Sequence, residues 1–390
     1  MAPPAVGFSA GGGQLMQVAI VGCGQLARML ALAGLPMGMR FSFLALPGES
    51  TAPVDGLGRV VVATPDLEPT ALYEQLGQPQ RVTAEKEQLP IALLRGLAPY
   101  TEVHPNPEAI YQCQHRLREK ATLEACQVPF TPYRAIHEER DLWAAGEALG
   151  WPLLLKHTQE GYDGKAQWRL TDEAAARQWL QGPAAGTLGP ASGQWLAEPI
   201  MPFEREVSLL AVRGREGHIT FYDPAQNRHR QGILVSSLAP APDLPAGLLP
   251  QMQAALQRLQ THLDYVGVLA MECFIKGDQW WVNELAPRVH NSGHWSQQTT
   301  AASQFENHLR AVAGWPLGDT ELQGAAAMLN LLGVPVDQHT MLADGASLNW
   351  YNKTVRPDRK VGHIVLRGPA LDEVRGKLNK LQSKIYGPDF

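Results

Sequence analysis

The most informative pattern of apolar and polar positions in the chain lies between residues 266 and 285. Two β-rich runs, 266–275 and 279–285, flank a polar turn, and this pattern predicts a β-hairpin. Each run carries one carboxylate among apolar neighbours, Glu272 in the first and Glu284 in the second. Side chains alternate between the faces of a strand, so a turn centred on Asp278 would set Glu272 directly opposite Glu284.

The two carboxylates predict a cation site. Side by side on a largely buried sheet they repel each other and lose hydration, and a cation offsets both costs. Oxygen ligands of this kind suit Mg²⁺, which proteins usually hold with one or two carboxylates and substrate phosphates. The alternative is a pair of edge-strand glutamates that face water.

The hairpin runs into a polar loop at residues 288–295, which contains Arg288, His290, Asn291 and His294. Loops at the ends of buried strands often carry binding groups. His290 and His294 have the spacing of a helical zinc site, but the intervening Asn-Ser-Gly disfavours a helix. The loop therefore indicates chemistry on phosphate or on another small anion.

The first part of the chain alternates apolar strands with helical segments. A buried-strand run at 18–21 leads into the GxGxxA loop at 22–27, and a helix follows. This is the layout of a Rossmann-type fingerprint, whose amides hold a phosphate when it is functional. An NAD enzyme needs an acidic residue after the next strand, 41–46, where only Glu49 is available. The alternation continues to about residue 108 and predicts an open parallel sheet.

The middle of the chain contains two further candidate phosphate-binding features. Residues 109–150 are predicted to be helical, with Arg116 and Lys120 four residues apart on one face, unless that face is simply solvated. A short apolar strand then ends at Lys156, and the glycine-rich segment 160–167 follows. Amides and an ammonium group together suit oxyanions, although a plain β-turn is the alternative.

Beyond this segment the pattern predicts an adenine site, two helices and a basic tail. The low-complexity segment 182–193 is predicted to be a mobile loop. A strand at 195–197 breaks at Pro199, and its exposed backbone beside Ile200 and Met201 suits an adenine ring. Helices are predicted at 247–263 and 303–312. The segment 350–363, called the basic tail below, is predicted to meet an anionic partner. Four of its cations lie within eight residues: Lys353, Arg356, Arg359 and Lys360.

Composition narrows the class of protein. A length of 390 residues predicts two or three domains, with 45% hydrophobic and 18% charged residues as in ordinary globular proteins. The net charge of -5 gives no general attraction to nucleic acid or anionic membrane. The four cysteines lack metal-binding spacing, and no basic leader precedes Arg28, so we expect reduced thiols in the cytoplasm. Residues 1–15 are predicted to be a disordered extension.

Four motifs give the chain a resemblance to a known family. They are GCGQLARM, GYDGKAQW, GVLAMECF with NELAPRVHNSGHW, and NWYNKTVRPDRKVGH. Across residues 17–370 the chain resembles ATP-grasp ligases and, more closely, the N5-carboxyaminoimidazole ribonucleotide synthetases of purine biosynthesis. The first hairpin motif indicates only the ATP-grasp superfamily, whereas the HNSGHW loop and the RKVGH tail are more specific.

The resemblance implies a fold of the α/β and α+β classes. An N-terminal Rossmann-like parallel-sheet domain would span residues 16–110. A central ATP-grasp domain would follow at 111–315, with a mobile lid at about 152–200. A small C-terminal domain would occupy 316–390.

The resemblance also implies roles for individual residues. Mg²⁺ would lie on Glu272 and Glu284, in agreement with the hairpin pattern. The catalytic and bicarbonate-binding residues would be Asp163, Arg288, His290 and Asn291. The ATP-binding residues would be Arg116, Lys156, Gly161, Tyr162, Asp163, Gly164, Lys165, Ala166, Gln167, Glu198, Pro199, Ile200, Met201, Glu206, His229, Asn283 and Glu284. The ribonucleotide-binding residues would be Gly24, Gln25, Leu26, Tyr162, Asp163, Arg288, Lys353, Arg359 and Lys360. Ala166 departs from the family pattern, in which glycine is common.

The implied reaction is the ATP-dependent carboxylation of 5-aminoimidazole ribonucleotide with bicarbonate, through carboxyphosphate and without biotin. The resemblance further implies a cytoplasmic homodimer with no nucleic-acid or membrane partner. One alternative is another ATP-grasp ligase, such as a formate-dependent glycinamide ribonucleotide transformylase, which would lack the HNSGHW loop and the RKVGH tail. The other is an NAD-dependent oxidoreductase, which rests on the GxGxxA loop alone.

Overall fold

Three β-sheets organise the chain in this computed structural model, which describes residues 15–64, 67–159, 166–188, 195–388 and 390. The predicted extension at the N-terminus lies outside the described residues up to residue 14. The glycine-rich segment also lies largely outside them, including the predicted site residues Gly161, Tyr162, Asp163, Gly164 and Lys165. Within the described parts of the chain, no helix is long and apolar enough to cross a membrane.

The N-terminal sheet is parallel, as its strand–helix alternation predicts. Its strands pair in the order β3-β2-β1-β4-β5. They are β1 Gln17–Val21, β2 Arg40–Ala45, β3 Arg59–Val62, β4 Arg81–Ala84 and β5 Glu102–Val103. The accompanying helices are α1 Gln25–Gly34, α2 Pro69–Gln75, α3 Ile91–Leu97 and α4 Pro107–Cys113. β1 and β2 are almost wholly buried, as strands of a sheet covered on both faces are expected to be.

The second sheet is antiparallel, with strand order β6-β9-β7-β8. This part of the chain comprises α5 Arg116–Ala125, β6 Arg134–Ile136, α6 Glu139–Leu149, β7 Leu153–His157, β8 Gln167–Leu170, α7 Glu173–Leu180 and β9 Trp195–Pro199. The prediction of helix across 109–150 is therefore wrong in two places. The helix breaks before α5, and β6 pairs with β9. A strand of three residues is too short to show a period, so only its pairing partner identifies it.

The third and largest sheet continues from the middle of the chain to its end. Its elements are β10 Arg205–Arg213, β11 Ile219–Phe221, β12 Ala225–Arg230, β13 Ile233–Ala239, α8 Leu248–His262, β14 Gly267–Lys276, β15 Gln279–Ala286, α9 Gln304–Ala313, β16 Ala325–Leu332, α10 Gln338–Met341, β17 Ser347–Trp350, β18 Lys360–Gly368 and α11 Leu371–Tyr386. The strand order is β15-β14-β10-β12-β13-β16-β18-β17, and β11 pairs with β10. The predicted helices near 247–263 and 303–312 are confirmed as α8 and α9. The predicted hairpin and the strands flanking the basic tail belong to one sheet.

Glu272 and Glu284 lie directly opposite each other, as predicted, but by a different route. The hairpin closes at the Lys276–Gln279 pair around a two-residue turn, so the turn is not centred on Asp278. If this register continued without interruption, Glu272 would pair with Asn283. A β-bulge next to Glu272 makes Asn283 the additional residue and restores the pairing of the two carboxylates.

Helix α9 joins the N-terminal sheet to the large sheet through a buried histidine. The ring of His308 lies 2.8 Å from Thr83 Oγ1 through Nε2, and Val268 N–H donates to its Nδ1 at 3.1 Å. Because Nδ1 accepts a hydrogen bond, the neutral ring carries its proton on Nε2 and donates it to Thr83. The ring of His308, on α9, thus contacts both β4 and β14.

Candidate active site

A cavity of about 1000 Å³ lies where the three parts of the chain meet. The N-terminal loop contributes Gly24 and Gln25, and the antiparallel sheet contributes Lys156. The hairpin contributes its two carboxylates, and the basic tail contributes Lys353 and Arg359. Most predicted site residues among the described ones therefore line a single space, although they are far apart in sequence.

Two lysines and a glutamate form a buried cluster on one side of this cavity. Glu198 accepts from Lys120 Nζ at 2.7 Å through one oxygen and from Lys156 Nζ at 2.6 Å through the other. Burial alone would raise the pKa of Glu198, but the two ammonium groups outweigh it and hold the pKa at about 2. The carboxylate is therefore charged and engaged with the lysines. The predicted adenine-binding residues 198–201 and Ala166 are not among those that line the cavity.

Arg116 and Asn283 connect the lysine cluster to the hairpin. Arg116 Nη1 lies 3.5 Å from Glu284 Oε2, and its Nε donates to the carbonyl of His157 at 3.2 Å. Lys156 Nζ donates to Asn283 Oδ1 at 3.3 Å. The bulge residue of the hairpin thus contacts the strand lysine. Cations that suit phosphate and carboxylates that suit a metal ion are adjacent.

The hairpin carboxylates lie in an environment that suits a divalent cation. Burial, and next the proximity of Glu284, raise the pKa of Glu272 to about 7. Ser208 Oγ donates to Glu272 Oε1 at 3.4 Å, and Asn227 Nδ2 in turn donates to Ser208 Oγ at 2.5 Å. In the described part of the chain, no group of three or more His, Cys, Asp or Glu side chains could hold a metal ion. The protein thus offers a carboxylate pair, which fits Mg²⁺ completed by phosphates and water.

His229 and Glu206 face each other on neighbouring strands beside this pair. Burial lowers the pKa of His229, but the hydrogen bond to Glu206 and the charges of Glu272 and Glu206 together outweigh that effect and raise it. The imidazole and the carboxylate are in direct contact, and both line the cavity. The ATP contacts that the resemblance implies for these two residues stay predictions.

The polar loop after the hairpin is largely buried and hydrogen-bonded to helix α9. It forms a 3₁₀ helix at Asn291–Ser296. Gln304 binds the backbone of His290 from both sides, because His290 N donates to Gln304 Oε1 at 2.8 Å and Gln304 Nε2 donates to His290 O at 2.7 Å. Burial lowers the pKa of His290 well below its ordinary value, so the ring is neutral. His294 is also buried and lies against Gln304 and the ring of His363, so the two histidines do not form a zinc site.

Arg288 is held by a carboxylate from the N-terminal sheet. Its Nε contacts Glu87 Oε2, and its Nη2 donates to Glu87 Oε1 at 3.2 Å. A fork-shaped pair of this kind fixes the plane of the guanidinium group. Arg288 and Glu87 both line the cavity, so the arginine is oriented at the point where the loop meets the N-terminal domain.

The basic tail reaches the N-terminal loop across the cavity. Lys353 Nζ contacts Gln25 Oε1, and Arg28 Nε donates to the carbonyl of Trp350 at 3.1 Å. Arg359 Nη1 donates to the carbonyl of Thr354 at 3.2 Å. The contacts of Lys353 and Arg28 join the basic tail to the N-terminal loop and helix at one corner of the site, and the contact of Arg359 lies within the tail.

The GxGxxA loop binds a carboxylate of the protein itself. Gly24 N and Ala27 N donate to the two oxygens of Glu85 at 2.5 and 2.9 Å. A Cβ atom added at Gly22 would lie 2.4 Å from Glu85 Cγ, so this close approach requires glycine. Glu49, the candidate ribose ligand of an NAD enzyme, instead forms an ion pair with Lys86 at 2.6 Å. The loop and its acidic partner are therefore already engaged.

Comparison with known proteins identifies the family. Residues 15–114 match the ribonucleotide synthetase preATP-grasp domain, and 121–305 match the ATP-grasp domain. Residues 326–377 match the phosphoribosylaminoimidazole carboxylase C-terminal domain. The N5-carboxyaminoimidazole ribonucleotide synthase of Pseudomonas aeruginosa is 40% identical over 373 residues, which cover 95% of this chain and 99% of that protein. The chain belongs to the N5-carboxyaminoimidazole ribonucleotide synthase family.

Solved structures of this family agree with the fold. The synthetase of Thermus thermophilus is 41% identical, with a TM-score of 0.85 over 94% of this chain and 98% of that one. The synthase of Aspergillus clavatus in complex with ADP and 5-aminoimidazole ribonucleotide is 25% identical, with a TM-score of 0.81 over 94% and 97% of the two chains. The predicted fold class, with a parallel N-terminal sheet, an ATP-grasp domain and a C-terminal domain, is confirmed.

Several residues in and around the cavity were not predicted from the sequence. Glu85 and Glu87 follow β4, and acidic residues at the carboxyl end of a parallel strand are a signal that could have identified them. Gln304 was not predicted either, because it holds the backbone of His290 and no motif marks such a partner. Ala166, the departure from the family pattern, has a φ of 53°, a left-handed conformation that glycine adopts more readily.

Proposed function

We infer that this chain is an ATP-dependent ligase that carboxylates 5-aminoimidazole ribonucleotide to N5-carboxyaminoimidazole ribonucleotide in purine biosynthesis. The observation that carries this inference is the single cavity in which phosphate-binding cations, a carboxylate pair, an anion-binding loop and a basic tail meet. The Aspergillus clavatus relative in complex with ADP and 5-aminoimidazole ribonucleotide supports the same pair of ligands here.

The first step is the attack of bicarbonate on the γ-phosphoryl group of ATP. Lys156 and Arg116 lie on the same side of the cavity and neutralise charge on the phosphates. Glu198 keeps the ammonium group of Lys156 in place through the 2.6 Å contact. Bound Mg²⁺ would be held by Glu272 and Glu284 and would supply further charge neutralisation. The products of this step are ADP and carboxyphosphate.

The second step is the capture of the carboxyl group by the exocyclic amine of the ribonucleotide. Arg288, His290 and Asn291 hold carboxyphosphate, and Glu87 and Gln304 keep the loop rigid. Phosphate leaves as the carbon–nitrogen bond forms, and the amine loses one proton. Neutral His290 and Asp163, which lies outside the described residues, are the candidate acceptors.

The ribonucleotide binds at the corner where the basic tail meets the N-terminal loop. Lys353, Arg359 and Lys360 bind its phosphate, and Gln25 orients Lys353. Gly24 and Leu26 line or border the same corner. Because the amides of Gly24 and Ala27 are bonded to Glu85, the cationic side chains supply the main contacts with phosphate.

The remaining predictions belong to the same proposal. For the structure, they are domain boundaries after residues 15, 110 and 315, a lid at about 152–200 and a homodimer. For the biochemistry, they are a cytoplasmic location, the use of bicarbonate and Mg²⁺, and the absence of biotin. The two alternative functions receive no support from the relatives described above. The engaged GxGxxA loop argues further against an NAD enzyme.

The proposal is tested by measuring ADP release with ATP, bicarbonate and 5-aminoimidazole ribonucleotide, each omitted in turn. We expect rapid release only with all three, together with an acid-labile carboxylated product. Formate-dependent release with glycinamide ribonucleotide would instead indicate the transformylase. A nicotinamide fluorescence titration tests the oxidoreductase, for which we expect no binding.

A further inference from the structure

Two asparagine side chains pair between the polar loop at 288–295 and the C-terminal strands β16–β18. Asn291 Nδ2 donates to Asn330 Oδ1 at 3.1 Å, and Asn330 Nδ2 donates to Asn291 Oδ1 at 2.6 Å. Asn291 lines the cavity, whereas Asn330 lies on β16 and is fully buried. Asn330 is not itself among the cavity-lining residues and reaches the cavity through neighbours such as Asn291.

A backbone carbonyl determines which way this pair is oriented. Asn330 Nδ2 also donates to the carbonyl oxygen of Leu234 on β13, at 2.8 Å. If the amide of Asn330 were flipped, its Oδ1 would face that carbonyl, and two acceptors would repel each other. The Asn330 orientation is thus fixed, and its Oδ1 then requires the Nδ2 group of Asn291 opposite it.

The pairing therefore also fixes the orientation of the Asn291 amide group. An amide nitrogen carries two N–H bonds, and the pairing with Asn330 uses one of those on Asn291. The second N–H of Asn291 is then free to donate to a ligand in the cavity that this residue lines. A bound anion needs hydrogen-bond donors, and a rotated amide would present its oxygen instead.

We propose that Asn330 is a positioning residue, which fixes the Asn291 amide so that it presents an N–H to bicarbonate and to the carboxyphosphate formed from it. This inference rests on the proposed function, and it extends the site from the loop into the C-terminal strands. It also gives those strands a part in the chemistry of the anion, separate from the phosphate-binding role of the basic tail.

The test is steady-state kinetics of Asn330→Leu, a substitution of similar size that removes all three hydrogen bonds. We expect the KM for bicarbonate to rise about tenfold, because a hydrogen bond to a charged group is lost for much of the time. The KM values for ATP and ribonucleotide should change by less than about twofold. The ratio of ADP to carboxylated product should rise, because carboxyphosphate that is held loosely is hydrolysed before it reacts with the amine.

A double-mutant cycle separates positioning from general damage. Asn291→Ala should raise the bicarbonate KM by itself, and Asn330→Leu should add no further increase in that background. Additive effects of the two substitutions would overturn the inference. If Asn330→Leu does not give folded protein, Asn330→Ser replaces it with the same expectations, because the shorter hydroxyl cannot reach both partners.

Asn307→Leu is the matched control. Asn307 is fully buried and also makes three side-chain hydrogen bonds, with Tyr222 Oη, Gly318 O and Gly318 N, but it does not line the cavity. It should lose stability without a change in the bicarbonate KM or in the ADP ratio. A wild-type enzyme without bicarbonate dependence would overturn the proposed function and this inference together. A bicarbonate-dependent wild type and an unchanged Asn330→Leu would overturn the inference alone.

Discussion

The two carboxylates of the hairpin differ in exposure. The side chain of Glu284 is 38% exposed, whereas that of Glu272 is 13% exposed and contacts Ser208 and His290. In the proposed metal site, Glu284 would therefore be the carboxylate that adjusts to the entering metal ion and phosphates, whereas Glu272 would be held by its neighbours. Arg116 is the nearest cationic neighbour of Glu284 and would share it with the metal ion.

We predict that Glu284→Gln lowers turnover by about a hundredfold or more, because one charged oxygen ligand of the metal site becomes a neutral amide. The measurements are ADP release and binding of Mn²⁺ as a probe, with circular dichroism to verify the fold. Glu204→Gln is the matched control, since Glu204 accepts from Gly277 N at the turn of the same hairpin. Normal Mn²⁺ binding by Glu284→Gln would refute the assignment.

The basic tail predicts a separate loss of ribonucleotide binding. Lys353→Ala and Arg359→Ala should each raise the KM for the ribonucleotide about ten- to a hundredfold, because each removes a charge-assisted contact to its phosphate. The KM for ATP should stay unchanged. Arg367→Ala is the control, since Arg367 also donates to a backbone carbonyl but lies outside the cavity lining. A wild-type ribonucleotide KM in both tail variants would mean that the tail does not bind this substrate.

At the scale of elements, periodicity predicted long strands and helices better than it predicted register and short strands. The hairpin, α8 and α9 follow from their patterns. The bulge at Asn283 does not, because both strands are apolar for most of their length and show no strict alternation that an additional residue would interrupt. β6 was missed since its three residues gain strand geometry only by pairing with β9. In both cases tertiary pairing decides what local sequence leaves open.

The close packing of the 3₁₀ helix after the hairpin makes Gly293 a sensitive position. A Cβ atom there would lie 2.3 Å from Leu210 Cδ2 and 3.0 Å from Gln304 Cδ, the residue that holds His290. We predict that Gly293→Ala lowers the free energy of unfolding by about 1–3 kcal/mol and raises the bicarbonate KM, because Gln304 must shift.

Urea unfolding and steady-state kinetics measure both effects. The control is Gly376→Ala in helix α11, an exposed position where an added Cβ meets no atom within 4 Å. It should raise stability by about 0.5–1 kcal/mol, as expected for glycine to alanine in a helix. If Gly293→Ala matches the wild type in both measurements, the loop is less tightly packed than its contacts indicate.

At the scale of the whole molecule, the site depends on contacts between residues that are distant in sequence. Arg288 and Glu87 are 201 residues apart, and Lys353 and Gln25 are 328 apart. The sequence motifs indicated the arginine and the lysine, since their chemistry is visible in a short run of residues. Which residues pair with them is set by how three sheets pack, and a single sequence does not specify that pairing, even though Gln25 and Glu87 each carry a local signal of their own. The same limit applies to Asn330.

His308 links the sheets in a way that predicts a pH dependence. Burial, followed by the charge of His104, lowers the pKa of His308 to about 3, compared with 6.5 in an unfolded chain. Between these values the unfolded state binds a proton and the native state does not. The stabilising contribution is therefore complete above pH 6.5 and is lost as the pH falls toward 3. Protonation of Nδ1 would also break its hydrogen bond from Val268 N–H.

We predict that the wild type and His308→Gln differ most in unfolding free energy at neutral pH. This difference should shrink by about 1.4 kcal/mol for each pH unit below 6.5, because the glutamine has no proton to bind. Urea unfolding at pH 8, 7, 6 and 5 measures it, and groups that both proteins share cancel in the difference. His262→Gln, at an exposed site on α8, is the control and should retain the wild-type slope. A difference between wild type and His308→Gln that does not vary from pH 8 to 5 would mean that His308 is not held neutral by burial.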